Sequence, residues 1–166
     1  MNDDAATIEA VDVLELMARA TVDVTTRVLA DAIPGLDLSL LQWRAIVVIG
    51  DDATGARVGQ VGERVGMPLP AASRLVQRLR RRGLVHLERD SDDGRATRVR
   101  LTHVGHQTRS SVLARRRHLI SEALGQTLLP AEAVQGLRVV AERFDRLGRE
   151  TPAPRRVPPG ARKGEP

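Results

Sequence analysis

The stretch "VGERVGMPLPAASRLVQRLRRRGLVHLERDSDDGRATRVRLT", Val61–Thr102, decides how this chain folds. Its apolar residues first recur every three or four positions, as on one face of a helix, and after Gly83 they alternate. Gly66 divides the helical part, which predicts two short helices over about 59–65 and 69–82. Pro70 is tolerated in the first turn of the second, where no helical hydrogen bond is lost, and Gly83 ends it. In "LVHLER" Val85 and Leu87 share one strand face, and in "ATRVRL" Thr97, Val99 and Leu101 do so. With polar "DSDDGR" between them, these segments predict a β-hairpin.

Outward from this stretch the pattern is helical. Residues 5–32 place Ile8, Val11, Leu14, Met17, Ala18, Val22, Thr25 and Leu29 at helical spacing before Pro34-Gly35. In "LSLLQWRAIVVIG" Ser39 and Gln42 have the spacing of a capping box, which predicts a helix over about 40–50. Helical patterns resume from Thr102 to about 125 and from Pro130 to about Arg149. The last segment, "TPAPRRVPPGARKGEP", has five prolines in sixteen residues and is expected to be a disordered basic tail, residues 150–166. Residues 1–7 are expected to be a flexible lead.

The composition narrows the function. The chain has 166 residues, one Trp, one Phe, no Tyr and no Cys, so the core is aliphatic and disulfides and cysteine-ligated zinc are excluded. No apolar run approaches the ~20 residues of a membrane span, and "MNDDAATIEA" is acidic where a secretory signal is basic. A cytoplasmic location is expected. Charge is unevenly distributed: residues 1–56 hold ten acidic and three basic side chains, residues 57–101 eleven basic and five acidic. A basic block beside an acidic one suggests a polyanion-binding surface.

Two short helices and a hairpin make a winged helix-turn-helix. In the second helix Ala72, Leu75, Val76 and Leu79 form the buried stripe. Pro70, Ala71, Ser73, Arg74, Gln77, Arg78 and Arg81 occupy the opposite side. Small residues there permit close approach to a major groove, and Arg or Gln can bond base edges. Arg80, Arg81 and Arg82 are candidates for phosphate contact. A surface helix with solvated arginines has the same pattern. The hairpin favours the DNA reading, because a wing can reach a narrow minor groove that attracts Arg. Arg95 stands near its tip with Asp93 as acceptor, while Arg98 and Arg100 share one strand face and are expected to meet flanking phosphates.

These residues resemble the MarR family of bacterial transcriptional regulators, over about residues 8–148. The likeness rests on "LSLLQWRAIVVI", on Val61–Thr102 and on "LTHVG" leading into a long helix; Asp93-Gly94-Arg95 matches the family's D-x-R wing signature. The resemblance implies a mainly α fold with a small β-hairpin wing. It implies a DNA-binding lobe over about 53–101 and dimerisation helices over about 5–32 and 102–149. By the same resemblance, a homodimer reads a pseudo-palindromic double-stranded operator, in the first instance as a repressor. Ser73, Arg74 and Gln77 would contact bases or phosphates, and Arg95 the minor groove. Ile120, Leu124, Leu128, Leu137, Phe144 and Leu147 suit interlocking helices. Two departures stand out. Pro68-Leu69-Pro70 replaces the usual Ser or Thr cap, whose loss costs about 1 kcal/mol. Gly59 and Gly62 each cost up to ~1 kcal/mol relative to Ala, predicting a soft lobe.

The resemblance also implies a small anionic or aromatic effector where the dimer helices meet the DNA lobe, for which Met17, Trp43 and Arg44 are candidates. Trp43 as simple core is the competing reading. No other cofactor is expected. His103 and His106, at i and i+3, leave open a zinc sensor completed by distant carboxylates. An enzyme is not expected, because the chain has no phosphate loop, H-E-x-x-H, G-x-S-x-G or Gly-rich dinucleotide turn. A winged-helix homologue acting as an architectural or partner-binding protein remains the alternative.

Overall fold

The computed structural model describes residues 2–31, 37–89, 97–125 and 127–150. The elements in chain order are α1 (Asn2–Asp31), α2 (Leu40–Gly50), β1 (Ala56–Arg57), α3 (Val58–Val65), α4 (Leu69–Arg81), β2 (Val85–Arg89), β3 (Thr97–Leu101), α5 (His103–Leu124) and α6 (Ala131–Glu150). Helix α1 starts at Asn2, so most of the expected flexible lead is helical. The tail 151–166 lies outside the described residues.

Helix α2 is the centre of the lobe. Its capping box forms as the spacing predicts: the Gln42 backbone N–H donates to Ser39 Oγ at 3.2 Å, and the Ser39 N–H donates to Gln42 Oε1 at 3.0 Å. Trp43, Ala45, Ile46, Val48 and Ile49 are buried along it. Around them pack Val28 of α1, Val61 of α3, Leu75, Val76 and Leu79 of α4, Leu84, Val85 and Val99 of the wing, and Val112 of α5. Burying each such aliphatic side chain contributes about 1.5–3 kcal/mol, so a largely aliphatic core suffices, with Trp43 adding aromatic mass.

The wing is a three-stranded antiparallel sheet in the order β1-β3-β2. The predicted hairpin pairs Val85 with Leu101, His86 with Arg100, Leu87 with Val99, Glu88 with Arg98 and Arg89 with Thr97. The third strand was not expected from the sequence: two residues, Ala56 and Arg57, pair with Val99 and Arg98. That strand is too short to carry a period of its own.

Thr102 joins the wing and α4 to α5. Its hydroxyl accepts the Gly105 N–H at 3.0 Å and donates to the Gly83 carbonyl at 2.6 Å, while its own N–H donates to the Leu84 carbonyl at 3.0 Å. A Cβ at Gly105 would sit 2.1 Å from the Leu84 carbonyl oxygen, so only glycine allows α5 to start against that backbone.

Helix α6 differs from the others: it packs closely against no other described element. Its apolar residues Leu137, Phe144 and Leu147 are exposed, as are Ile8, Val11 and Leu16 of α1. Among the described residues no helix is long and apolar enough to cross a membrane.

Candidate nucleic-acid interface

The geometry of the interface begins at the turn between α3 and α4. Gly66 adopts φ +72, a left-handed conformation that glycine alone takes without strain, and the Met67 N–H returns to the Gly62 carbonyl at 2.8 Å. Gly62 is required for a second reason. A Cβ there would come 2.9 Å from the Met67 carbonyl oxygen and 3.0 Å from the Ala72 Cβ, whereas one at Gly59 would meet nothing within 4 Å. The expectation that both glycines weaken α3 alike is therefore corrected: Gly62 lets α4 approach closely.

Helix α4 opens without a side-chain cap, as the Pro68-Leu69-Pro70 run predicts. The Pro68 carbonyl accepts from the N–H groups of Ala71 at 2.9 Å and Ala72 at 3.1 Å instead. Ala72, Leu75, Val76 and Leu79 are buried, as their periodicity requires. Pro70, Ser73, Arg74, Gln77, Arg78 and Arg81 are exposed, and Ala71 is half-buried. The side chains of Ser73, Arg74, Gln77, Arg78 and Arg81 make no hydrogen bond or ion pair among the described residues. Leu69, 59% exposed, adds an apolar group to the first turn. Sequence reasoning passed over it, although two flanking prolines mark the position.

Arg82 does not belong to this face. Its Nη1 donates to the Asp37 carbonyl and lies 3.5 Å from Gln42 Oε1, tying the end of α4 to the start of α2. The strand arginines also have intramolecular contacts. Arg98 Nη1 donates to Thr54 Oγ1 and to the Gly55 carbonyl, each at 3.0 Å. Arg100 Nε lies 2.9 Å from Glu88 Oε2, and Glu88 Oε1 lies 2.7 Å from His86 Nε2. Both arginines therefore have partners within the chain. Asp93 and Arg95 lie outside the described residues.

These contacts shift two carboxylates. The Thr54 hydroxyl, and then its N–H, hold Asp52 below its ordinary pKa, with Arg98 and Arg100 adding to the effect. The hydrogen bond from His86, followed by the charge of Arg100, lowers Glu88.

The effector candidates separate. Trp43 and Arg44 line a cavity of about 360 Å3 with Asp51, Arg64, Arg116 and Phe144, so the chain's only tryptophan and only phenylalanine border one space with three arginines. Trp43 is buried as well, so core and wall are the same residue. Arg44 Nη2 donates to the Arg64 carbonyl at 2.9 Å, and Asp51 pairs with Arg109 at 2.5 Å and Arg64 at 3.6 Å. Met17 is not among these residues; it borders different cavities, between α1 and α5 and between α1 and α6. His103 and His106 are exposed. Among the described residues no three His, Cys, Asp or Glu side chains are grouped to hold a metal ion.

A helix-turn-helix with an exposed second helix, followed by a three-stranded wing, defines the winged-helix class. Residues 36–96 match the MarR family model. A probable transcriptional regulator from Pseudomonas aeruginosa is similar at 27% identity, covering 78% of this chain and 95% of that one, with a TM-score of 0.55. A MarR family protein from Bacillus stearothermophilus matches at 19% identity over 87% and 96% of the two chains, TM-score 0.72. A mutant of S. aureus MepR bound to an oligodeoxyribonucleotide matches at 16% identity over 83% and 97%, TM-score 0.58. No curated protein matches the sequence. Residues 36–96 are thus similar to the MarR family in sequence, and most of the chain is similar to these regulators in fold.

Proposed function

We propose that the chain is a sequence-specific, double-stranded-DNA-binding transcriptional regulator that represses from a pseudo-palindromic operator as a homodimer. One observation carries this reading: the outer face of α4 presents Ser73, Arg74, Gln77, Arg78 and Arg81 to solvent, unpaired among the described residues. Unpaired donors on a helix slim enough for a major groove suit base edges and phosphates. The MepR relative, of the same fold, is bound to an oligodeoxyribonucleotide.

The homodimer is supported by α6 and α1. An amphipathic helix whose Leu137, Phe144 and Leu147 stay exposed among the described residues leaves an apolar patch of the kind that marks an interaction surface. The cavity bordered by Trp43, Phe144, Arg44, Arg64 and Arg116 supports release by a small anionic aromatic effector. Arginines would hold the anion against the two lining carboxylates Asp51 and Asp145, and the exposed Phe144 ring would stack.

Selection from random duplexes tests the reading. The full chain should enrich a two-half-site sequence with centres about 10 base pairs, or a multiple, apart. Binding to random DNA as tight as to any enriched duplex would overturn it in favour of an architectural role. A stable monomer at micromolar concentration in sedimentation would remove the dimer. Failure of every aromatic carboxylate tried to weaken DNA binding would leave the regulator without its effector arm.

A further inference from the structure

The two strand arginines that face away from the core are occupied, and what they hold is informative. Asp52, just after α2, accepts the N–H of Thr54 at 2.9 Å and its hydroxyl proton at 2.7 Å, shaping a tight turn. Arg98 clasps that turn from β3 through Thr54 Oγ1 and the Gly55 carbonyl. Arg100 lays its stem on the same turn: a Cβ at Gly55, which has φ +83, would fall 2.7 Å from Arg100 Cγ. Its guanidinium then meets Glu88 on β2, whose other oxygen takes His86. The bonds thus run from the turn after α2, across β3, to β2.

We infer that Glu88 is a positioning residue for the wing, and that Arg98 and Arg100 are its struts rather than phosphate contacts. The inference rests on the DNA-binding reading above. Two-stranded ribbons twist and flex more than wider sheets. At Arg89 and Thr97, past the two residues of β3 that pair with β1, only β2 and β3 remain paired. That two-stranded end is steadied by how firmly β2 and β3 are held over the 52–55 turn. Arg98 fastens β3 to the turn, and Glu88 brings β2 into the same network through Arg100.

The sign of one substitution separates this role from simple electrostatics. Glu88→Gln removes a negative charge from a surface that faces a polyanion, so Coulomb's law alone favours tighter binding. A phosphate-seeking Arg100, released from Glu88, would tighten it further and steepen the dependence on salt. A strut predicts the opposite. Glu88→Gln in the full chain should weaken binding to a duplex recovered by the selection about three- to fivefold, in line with loss of an exposed ion pair. The slope of log affinity against log salt should not change. Arg100→Lys, which keeps the charge and loses the planar guanidinium that lies against Glu88 and the 52–55 turn, should behave likewise. Tighter or unchanged binding by Glu88→Gln, or a slope reduced by about 0.9 in Arg100→Ala, would overturn the assignment. Hydrogen exchange of the free protein gives a reading that needs no DNA. Amides of Val85–Arg89 and Thr97–Leu101 should exchange faster in Glu88→Gln, and equal rates would overturn the strut. An unaltered chain that binds no duplex would instead reject the DNA reading, and the exchange measurement would still decide the strut.

Discussion

Gly62→Ala and Gly59→Ala lie one turn apart on α3, and the structure assigns them opposite signs. At Gly59 the new methyl meets nothing within 4 Å, so only helix propensity acts. The substitution should stabilise by about 0.5–1 kcal/mol. At Gly62 the same gain is opposed. The methyl lands 2.9 Å from the Met67 carbonyl oxygen and 3.0 Å from the Ala72 Cβ. One neighbour is turn backbone and the other belongs to a fully buried residue, so neither yields without moving α4. Overpacking of this kind costs about 1–3 kcal/mol. Less the propensity gain, the net is a loss of up to about 2 kcal/mol. In a chain of this length each kcal/mol moves the midpoint by about 2–4 °C. Thermal unfolding at one fixed protein concentration, since self-association raises stability, should show Gly59→Ala up by about 1–4 °C and Gly62→Ala down by as much as about 8 °C. DNA affinity should fall only for Gly62→Ala, because only there is α4 displaced. Midpoints that move in the same direction would refute the close approach of the two helices.

Three further outcomes are expected. Arg74→Ala and Gln77→Ala should each cost about 1–3 kcal/mol and relax preference at one base position, whereas Arg78→Ala and Arg81→Ala should weaken all duplexes alike and lower the salt slope by about one; titrations against the selected duplex and its single-base variants distinguish the two patterns. Leu137→Glu, on the exposed stripe of α6, should shift the sedimenting species from dimer to monomer. Asp52 and Glu88 have lowered folded-state pKa values, so the order they lend the wing is present above the ordinary carboxylate range and is lost as pH falls through the lowered values. Carboxyl titration by NMR should place Asp52 below the ordinary aspartate value, and the Thr54 amide should lose its shift with the same midpoint.

Much of the architecture was legible because it rests on local regularities. The capping box at Ser39 and Gln42, the buried stripe of α4 and the alternation of β2 and β3 depend on residues a few positions apart. What escaped depends on distance along the chain. Arg98 reaches Thr54 and Gly55 across 44 and 43 residues, and Arg109 reaches Asp51 across 58. No period encodes such a pairing, so a strand arginine with a partner and one seeking phosphate look alike in sequence. Gly62 was misread for a related reason. Propensity scores a glycine by its own helix, while its use is set by Met67 and Ala72 across the turn. Trp43 and Phe144, 101 positions apart, border one cavity, and their rarity was the only hint.

The junction at Thr102 has a mechanical consequence. Because one residue bonds to both Gly83 and Gly105 while Leu84 lies flush against the start of α5, the end of α4, the reading head, is tied directly to the start of α5. Whatever tilts the stalk of α5 must swing Arg74 and Gln77 with it, as a crank turns its handle. In a pair of such chains, the span between the two heads is then governed by the angle at which their stalks cross.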